Sequence, residues 1–256
     1  MIIAKEEGSK LRRGTLKQIL LITDGCSNQG EDPAAVSSLI REQGITVNVI
    51  GVLEDDQSEQ PEGLQEVEEI ASAGGGVSRI VFAKALSQTV QMVTRQAMTQ
   101  TIQGVVNQEL QEILGSEKSM DDLPPEKRGE VMEVVEELGE TCDLEVLVLV
   151  DTSASMTKKL PTVKEALEDL SLSLGARPGK NRFAIFSFPG KKRHISRLLS
   201  WTPSIQNISS IFPKLTSGGI TPTGPALKEA LFQFARTPEI KERRTSDEIY
   251  YEEPGH

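Results

Sequence analysis

The chain has 256 residues, 37% hydrophobic, 26% charged and 4% aromatic, with a formal net charge of −10. That length supports one large domain or two small ones, each with its own core. The acidic balance argues against nucleic acid or an anionic membrane surface as main partner, and the scarcity of aromatic rings argues against base stacking on single strands.

The short basic groups Arg12-Arg13, Lys191-Lys192-Arg193 and residues 241–244 read as solvated faces. The first seven residues show no basic segment followed by an apolar one, so no signal peptide is expected. No apolar run approaches the roughly 18 residues needed to span a bilayer. Two distant cysteines, Cys26 and Cys142, do not make a secreted disulfide framework, and no bridge between them is expected. The expected location is the cytoplasm.

Residues 1–15 read as a lead-in. The apolar run 18–23 ends in Asp24-Gly25 and reads as a buried parallel strand with its exit turn. Residues 33–43 have an early proline, apolar Val36, Leu39 and Ile40, and Gly44 as a stop, which predicts a helix. Residues 45–53 are β-branched and apolar, the next strand. An acidic loop over 54–61 leads to a helix over 63–73, stopped by Gly74-Gly75-Gly76. A short strand over 78–83 and a helix over 84–114 follow. Strand and helix alternate, which implies a parallel sheet covered on both faces.

Residues 115–143 break this rhythm, with an acidic amphipathic helix over 126–139 that reads as a connector. The second half opens on the apolar strand 144–150, which runs into Asp151-Thr152-Ser153-Ala154-Ser155. A helix over 159–174 buries Leu160, Val163, Leu167, Leu170 and Leu174 on one face. Strands over 182–188 and 193–199 are close enough for an antiparallel hairpin at a sheet edge. Residues 204–215 read as a short helix. Gly218-Gly219-Ile220-Thr221-Pro222-Thr223 is a turn leading into a helix over 224–235, and the tail 237–256 reads as disordered.

A carboxylate and two hydroxyls at alternate positions, just past a buried strand, offer hard oxygen ligands for Mg²⁺ or Mn²⁺. Each element of such a site also has a plain reading. Ser155 could cap the following helix, Thr221 or Thr223 could cap the last one, and Asp24-Gly25 could be only a turn.

Taken together, Asp151-x-Ser153-x-Ser155, the Gly-Gly-x-Thr-Pro-Thr turn and the strand ending Thr23-Asp24-Gly25 resemble the metal-ion-dependent adhesion site of the von Willebrand factor type A family. The resemblance implies a Rossmann-like, doubly wound α/β fold with a mostly parallel sheet. In that family the aspartate–serine motif ends the first strand, the threonine precedes the third helix, and the second aspartate ends the fourth strand. Here the order differs. Residues 16–114 resemble the family's C-terminal half and residues 144–236 its N-terminal half. The reading is one circularly permuted domain over 16–236 with 115–143 as the bridge, or two halves exchanged in a swapped dimer. Asp24 and Asp151 should then meet at the switch point between two central strands.

By resemblance, Ser153 and Ser155 would bind Mg²⁺ or Mn²⁺ directly and Thr221 directly or through water. Asp151 and Asp24 would act mostly through water. An aspartate or glutamate of a protein partner would complete the coordination. The family likeness is to bacterial members and carries an association with sporulation in endospore formers.

Two other functions compete with this non-enzymatic one. The first is a metal-dependent phosphoester hydrolase built on Asp151 and Asp24. The second is a regulatory subunit of a chelatase-type ATPase complex, which would have to borrow its ATPase. Ser155-Met156-Thr157-Lys158 matches Ser-x-x-Lys, but its companion motifs are missing. His194 and His256, the only histidines, suggest no nucleophile–histidine pair.

Overall fold

A computed structural model describes residues 14–25, 27–54, 61–114, 119–203 and 220–235. In chain order these form β1 (Thr15–Thr23), α1 (Pro33–Glu42), β2 (Ile45–Leu53), α2 (Pro61–Ala73), β3 (Gly75–Phe82) and α3 (Leu86–Leu114). They continue with α4 (Pro125–Thr141), β4 (Asp143–Asp151), α5 (Leu160–Gly175), β5 (Asn181–Phe188), β6 (Ser196–Thr202) and α6 (Thr223–Ala235).

The strands make one six-stranded sheet in the order β3-β2-β1-β4-β5-β6. All neighbours are parallel except β5 and β6, which run antiparallel at the edge. The central strands carry continuous apolar runs, Ile19–Ile22 in β1 and Val146–Val150 in β4, because both faces are covered. Leu20, Ile22, Val146, Val148 and Val150 pack with Val90 and Val93 of α3 and with Val163 and Leu167 of α5. The alternate residues Ile19, Leu21, Leu147 and Leu149 pack with Val36 and Ile40 of α1, Ile70 of α2, and Leu227 of α6. This is the period of two expected of a strand between two helical layers.

β1 comes from the first half of the chain and β4 from the second, yet they are direct neighbours. Their register aligns Ile19 with Leu147 and Ile22 with Val150, so both strands end at the same level. That register sets the exits of β1 and β4 side by side.

Several expectations need correction. Thr15 belongs to β1 rather than to a lead-in. β3 starts at Gly75, not after the glycine run. Gly75 has φ +65, and a Cβ on Gly76 would meet the Val47 carbonyl oxygen at 2.1 Å. The glycines therefore lie inside the sheet edge, because the β2 backbone comes too close for a side chain. β6 starts at Ser196 rather than 193. The residues before it close a turn, with the Gly190 N–H donating to the His194 carbonyl at 2.9 Å. The Glu229 carboxylate accepts from the backbone N–H groups of His194 and Ile195, which withdraws them from strand pairing. The expected helix over 204–215, loop residues 55–60, Cys26, residues 1–13 and the tail from 236 lie outside the described residues.

The connector helix α4 packs on α3 through a small cluster of Ile102, Val135 and Cys142. Arg177, after α5, holds the start of β4 in place. Its guanidinium donates to the carbonyls of Gly139 and Cys142 and to the Asn181 side chain. Burial pushes the Arg177 pKa down, partly opposed by neighbouring acidic groups.

Candidate metal centre

The exits of β1 and β4 carry a continuous chain of polar contacts. Thr23, the last residue of β1, donates its hydroxyl to Asp151 Oδ2 at 2.7 Å. The other Asp151 oxygen, Oδ1, accepts the Ser153 backbone N–H at 2.8 Å. Ser153 Oγ and Ser155 Oγ lie 3.1 Å apart. Ser155 Oγ donates to Asp24 Oδ1 at 2.8 Å. Residues 131 apart in sequence are joined here only because β1 and β4 pair in register.

The strand exit explains this local geometry. Asp151 is the last residue of β4 and its side chain is fully buried. The chain then leaves the sheet, tied by the Thr152 N–H and hydroxyl, which both donate to the Phe188 carbonyl on β5. A short 3-10 turn, Ala154–Met156, follows and carries Ser155 to the surface. Ser153 stays buried while Ser155 is exposed, so the hydroxyl pair runs from the interior to solvent.

Thr221 approaches from the loop before α6. Its N–H donates to Asn28 Oδ1 at 2.8 Å, and its carbonyl accepts from the Asn28 N–H and the Ser27 hydroxyl, each at 3.2 Å. Ser27 and Asn28 lie just past Asp24, so Thr221 is pinned to the loop that leaves β1. Gly224 makes the approach possible, because a Cβ there would meet the Glu31 carbonyl oxygen at 2.0 Å. The neighbouring Thr223 hydroxyl is buried without a hydrogen-bond partner.

All five residues expected at the site therefore stand at one end of the sheet, Asp151 at the last position of β4 and Asp24, Ser153, Ser155 and Thr221 beyond the ordered elements or in the turns that follow them. The first four are joined directly, and Thr221 is held through its backbone to Ser27 and Asn28, on the loop that follows Asp24. Three contributors were not anticipated from the sequence. Thr23 supports Asp151, and Asn28 holds Thr221. Lys159, almost fully buried, places its ammonium on Asp24 Oδ2. Lys159 could have been noticed, since it lies four residues before Val163 at the head of the buried stripe of α5.

The donor chemistry fits a hard divalent ion, because every candidate ligand is an oxygen and the directly available ones are neutral hydroxyls. Among the described residues no group of three or more His, Cys, Asp or Glu could hold a metal ion. Burial pushes the Asp151 carboxyl above the usual carboxylate range, opposed by the Ser153 and Thr23 hydrogen bonds and reinforced by the nearby charge of Asp24. A cation beside it would relieve that cost.

A doubly wound sheet with an aspartate–serine strand exit and a threonine loop defines the von Willebrand factor type A class. Profiles described as von Willebrand factor type A domain match residues 2–96 and residues 146–248. The chain belongs to this family. It is 61% identical over 245 residues to the uncharacterized protein YabS of Bacillus subtilis (strain 168), covering 96% of this chain and all of that one. The crystal structure of an uncharacterized protein from Alicyclobacillus acidocaldarius is 44% identical with a TM-score of 0.78, covering 86% of this chain and 94% of that one. Proximal thread matrix protein 1 from the mussel byssus, solved with a zinc-occupied MIDAS motif, is 17% identical with a TM-score of 0.29, over 89% of this chain and 48% of that one. That likeness is too slight to bear on the site here. No helix among the described residues is long and apolar enough to cross a membrane.

Proposed function

We propose that this chain is a cytoplasmic, divalent-metal-dependent protein-binding module that captures an aspartate or glutamate side chain of a partner. The observation that carries this reading is the polar chain Thr23–Asp151–Ser153–Ser155–Asp24 across the exits of two central strands. Ser153, Ser155 and Thr221 would hold Mg²⁺ or Mn²⁺, with Asp151 and Asp24 orienting the hydroxyls and supplying counter-charge. The bound ion supplies a Lewis-acidic position that an incoming carboxylate can fill. Ser155 is the solvent-facing member of the set, so a partner would approach from its side.

The hydrolase reading is weaker. Asp151 is fully buried and both of its oxygens already accept hydrogen bonds from the protein, so it is poorly exposed to attack a phosphoester. The chelatase-type regulatory role would use the same acidic-ligand surface and differs only in the partner.

We read the family's order as permuted within one chain. The two profile matches in separate halves support this, as does the pairing of β1 with β4. The monomer follows from this reading, and a half-swapped dimer is its rival; light scattering on the purified chain separates them. The sporulation setting implied by the resemblance is tested by the timing of expression.

The direct test of function is Mn²⁺ titration followed by electron paramagnetic resonance, with a pull-down in the presence and absence of EDTA. The wild type should bind Mn²⁺, and Asp151→Ala and Asp24→Ala should lose both metal and EDTA-sensitive capture. Partner capture indifferent to EDTA and to both substitutions would remove the metal from the function. Phosphoester turnover that requires both aspartates would replace binding with catalysis.

A further inference from the structure

We propose that Lys159 sets the charge of this centre so that a divalent ion and a carboxylate bind as a coupled pair. The inference rests on the metal-binding reading above and concerns a residue that reading does not require.

The Lys159 side chain is 2% exposed and that of Asp24 is 1% exposed. The ammonium is bound to Asp24 Oδ2, while Asp24 Oδ1 takes the Ser155 hydroxyl. The lysine backbone is held on both sides. Its N–H donates to the Met156 carbonyl at 2.9 Å, and its carbonyl accepts from the Val163 N–H at 3.0 Å. It is therefore anchored at the head of α5. Burial keeps water from screening the pair, so its charge is felt by any ion placed beside Asp24.

The formal charges follow directly. Asp24 and Asp151 contribute two negative charges and Lys159 returns one positive charge. A divalent ion then leaves the centre with one positive charge in excess. A single carboxylate from outside restores neutrality. Without the lysine the two aspartates alone would neutralise the ion, and an outside carboxylate would bring surplus negative charge. Lys159 thus weakens the metal on its own and strengthens the metal with a carboxylate. The two ligands must raise each other's affinity by the same factor.

The test is Mn²⁺ binding, read by electron paramagnetic resonance, to the wild type, Lys159→Met, Lys159→Gln and Lys159→Arg. Each titration is run with sodium acetate and with sodium chloride at equal ionic strength. In the wild type, acetate should tighten Mn²⁺ about tenfold, within the usual range of coupling between sites. In Lys159→Met and Lys159→Gln, Mn²⁺ alone should bind about tenfold tighter, and the acetate effect should fall below about threefold. Lys159→Arg keeps the charge and should retain the wild-type pattern. Circular dichroism and a cooperative thermal melt establish that each variant is folded. If the neutral variants do not fold, loss of the acetate effect in a folded Lys159→Arg still overturns the proposal. Loss of Mn²⁺ binding in the neutral variants would make Lys159 only a positioning residue for Asp24 and overturn it too. Wild-type binding with unchanged behaviour in Lys159→Met overturns this inference alone. A wild type that binds no Mn²⁺ in either salt overturns the metal reading with it.

Discussion

Thr23 and Asp151 are separated by 128 positions in the chain and by 2.7 Å in the fold, hydroxyl to carboxylate. The contact closes the exit of β1 onto the exit of β4 and fixes one oxygen of the most buried acid at the site. Its environment is dry, with Thr23 2% and Asp151 0% exposed.

Replacing this hydroxyl by a methyl isolates its contribution. Thr23→Val keeps the shape and the β-branching but leaves Asp151 Oδ2 without its donor. Stability should fall by about 1–3 kcal/mol, the usual cost of leaving a buried polar group unpaired. Urea denaturation in EDTA measures it, and a change below about 0.5 kcal/mol would show that Asp151 finds another donor.

Asp151 should make stability depend on pH in a defined direction. Burial raises its folded-state pKa above 3.8, so the folded chain binds the proton more tightly than the unfolded one. Its contribution is therefore most favourable below that value. It declines as pH rises through the elevated folded pKa, and is constant above it. Asp151→Asn cannot ionise. Relative to wild type in EDTA, the variant should gain stability across that window. Paired urea melts at stepped pH check the sign, and a difference moving toward wild type with rising pH would contradict it.

The two threonines of the last loop should separate cleanly. Thr221 is clamped to Ser27 and Asn28 beside Asp24, whereas the Thr223 hydroxyl is buried and unpartnered. Thr221→Ala should weaken Mn²⁺ binding about tenfold or more, in line with loss of a metal-binding contact. Thr223→Val should leave Mn²⁺ binding unchanged and hold or raise Tm, because it removes an unsatisfied polar atom. The reverse pattern in Mn²⁺ titrations would transfer the ligand role to Thr223.

Gly224→Ala tests whether the threonine loop depends on close backbone contact. The added Cβ would strike the Glu31 carbonyl, a backbone atom that cannot swing aside. Overpacking of this kind costs about 1–3 kcal/mol. It should also weaken Mn²⁺ binding, because Thr221 is carried on the displaced loop. Unchanged Tm and unchanged binding would mean that the loop has slack.

Local pattern made most of the architecture legible. The β-branched run of β2 and the apolar run of β4 announced buried strands, and proline and Gly44 bounded α1. The elements read less well were those governed by a neighbour. Gly75 and Gly76 look like a helix stop in sequence, but the approach of Val47 makes them strand. The start of β6 shifts because Glu229, on a distant helix, takes the backbone N–H groups of His194 and Ile195.

At the site, the sequence by itself determined which oxygen donors leave which strands: Asp24 after β1, Asp151, Ser153 and Ser155 after β4, and Thr221 before α6. Residue type and strand-end position carry that information locally. Only the tertiary structure decided that Asp24 meets Ser155, that Thr23 supports Asp151, that Asn28 clamps Thr221 and that Lys159 is buried against Asp24. Those relationships depend on the parallel register of β1 and β4 and on the anchoring of α5 and α6 over the strand ends. The register is set by pairing between residues more than a hundred positions apart, and the helices by packing on strands of both halves, which no local pattern encodes.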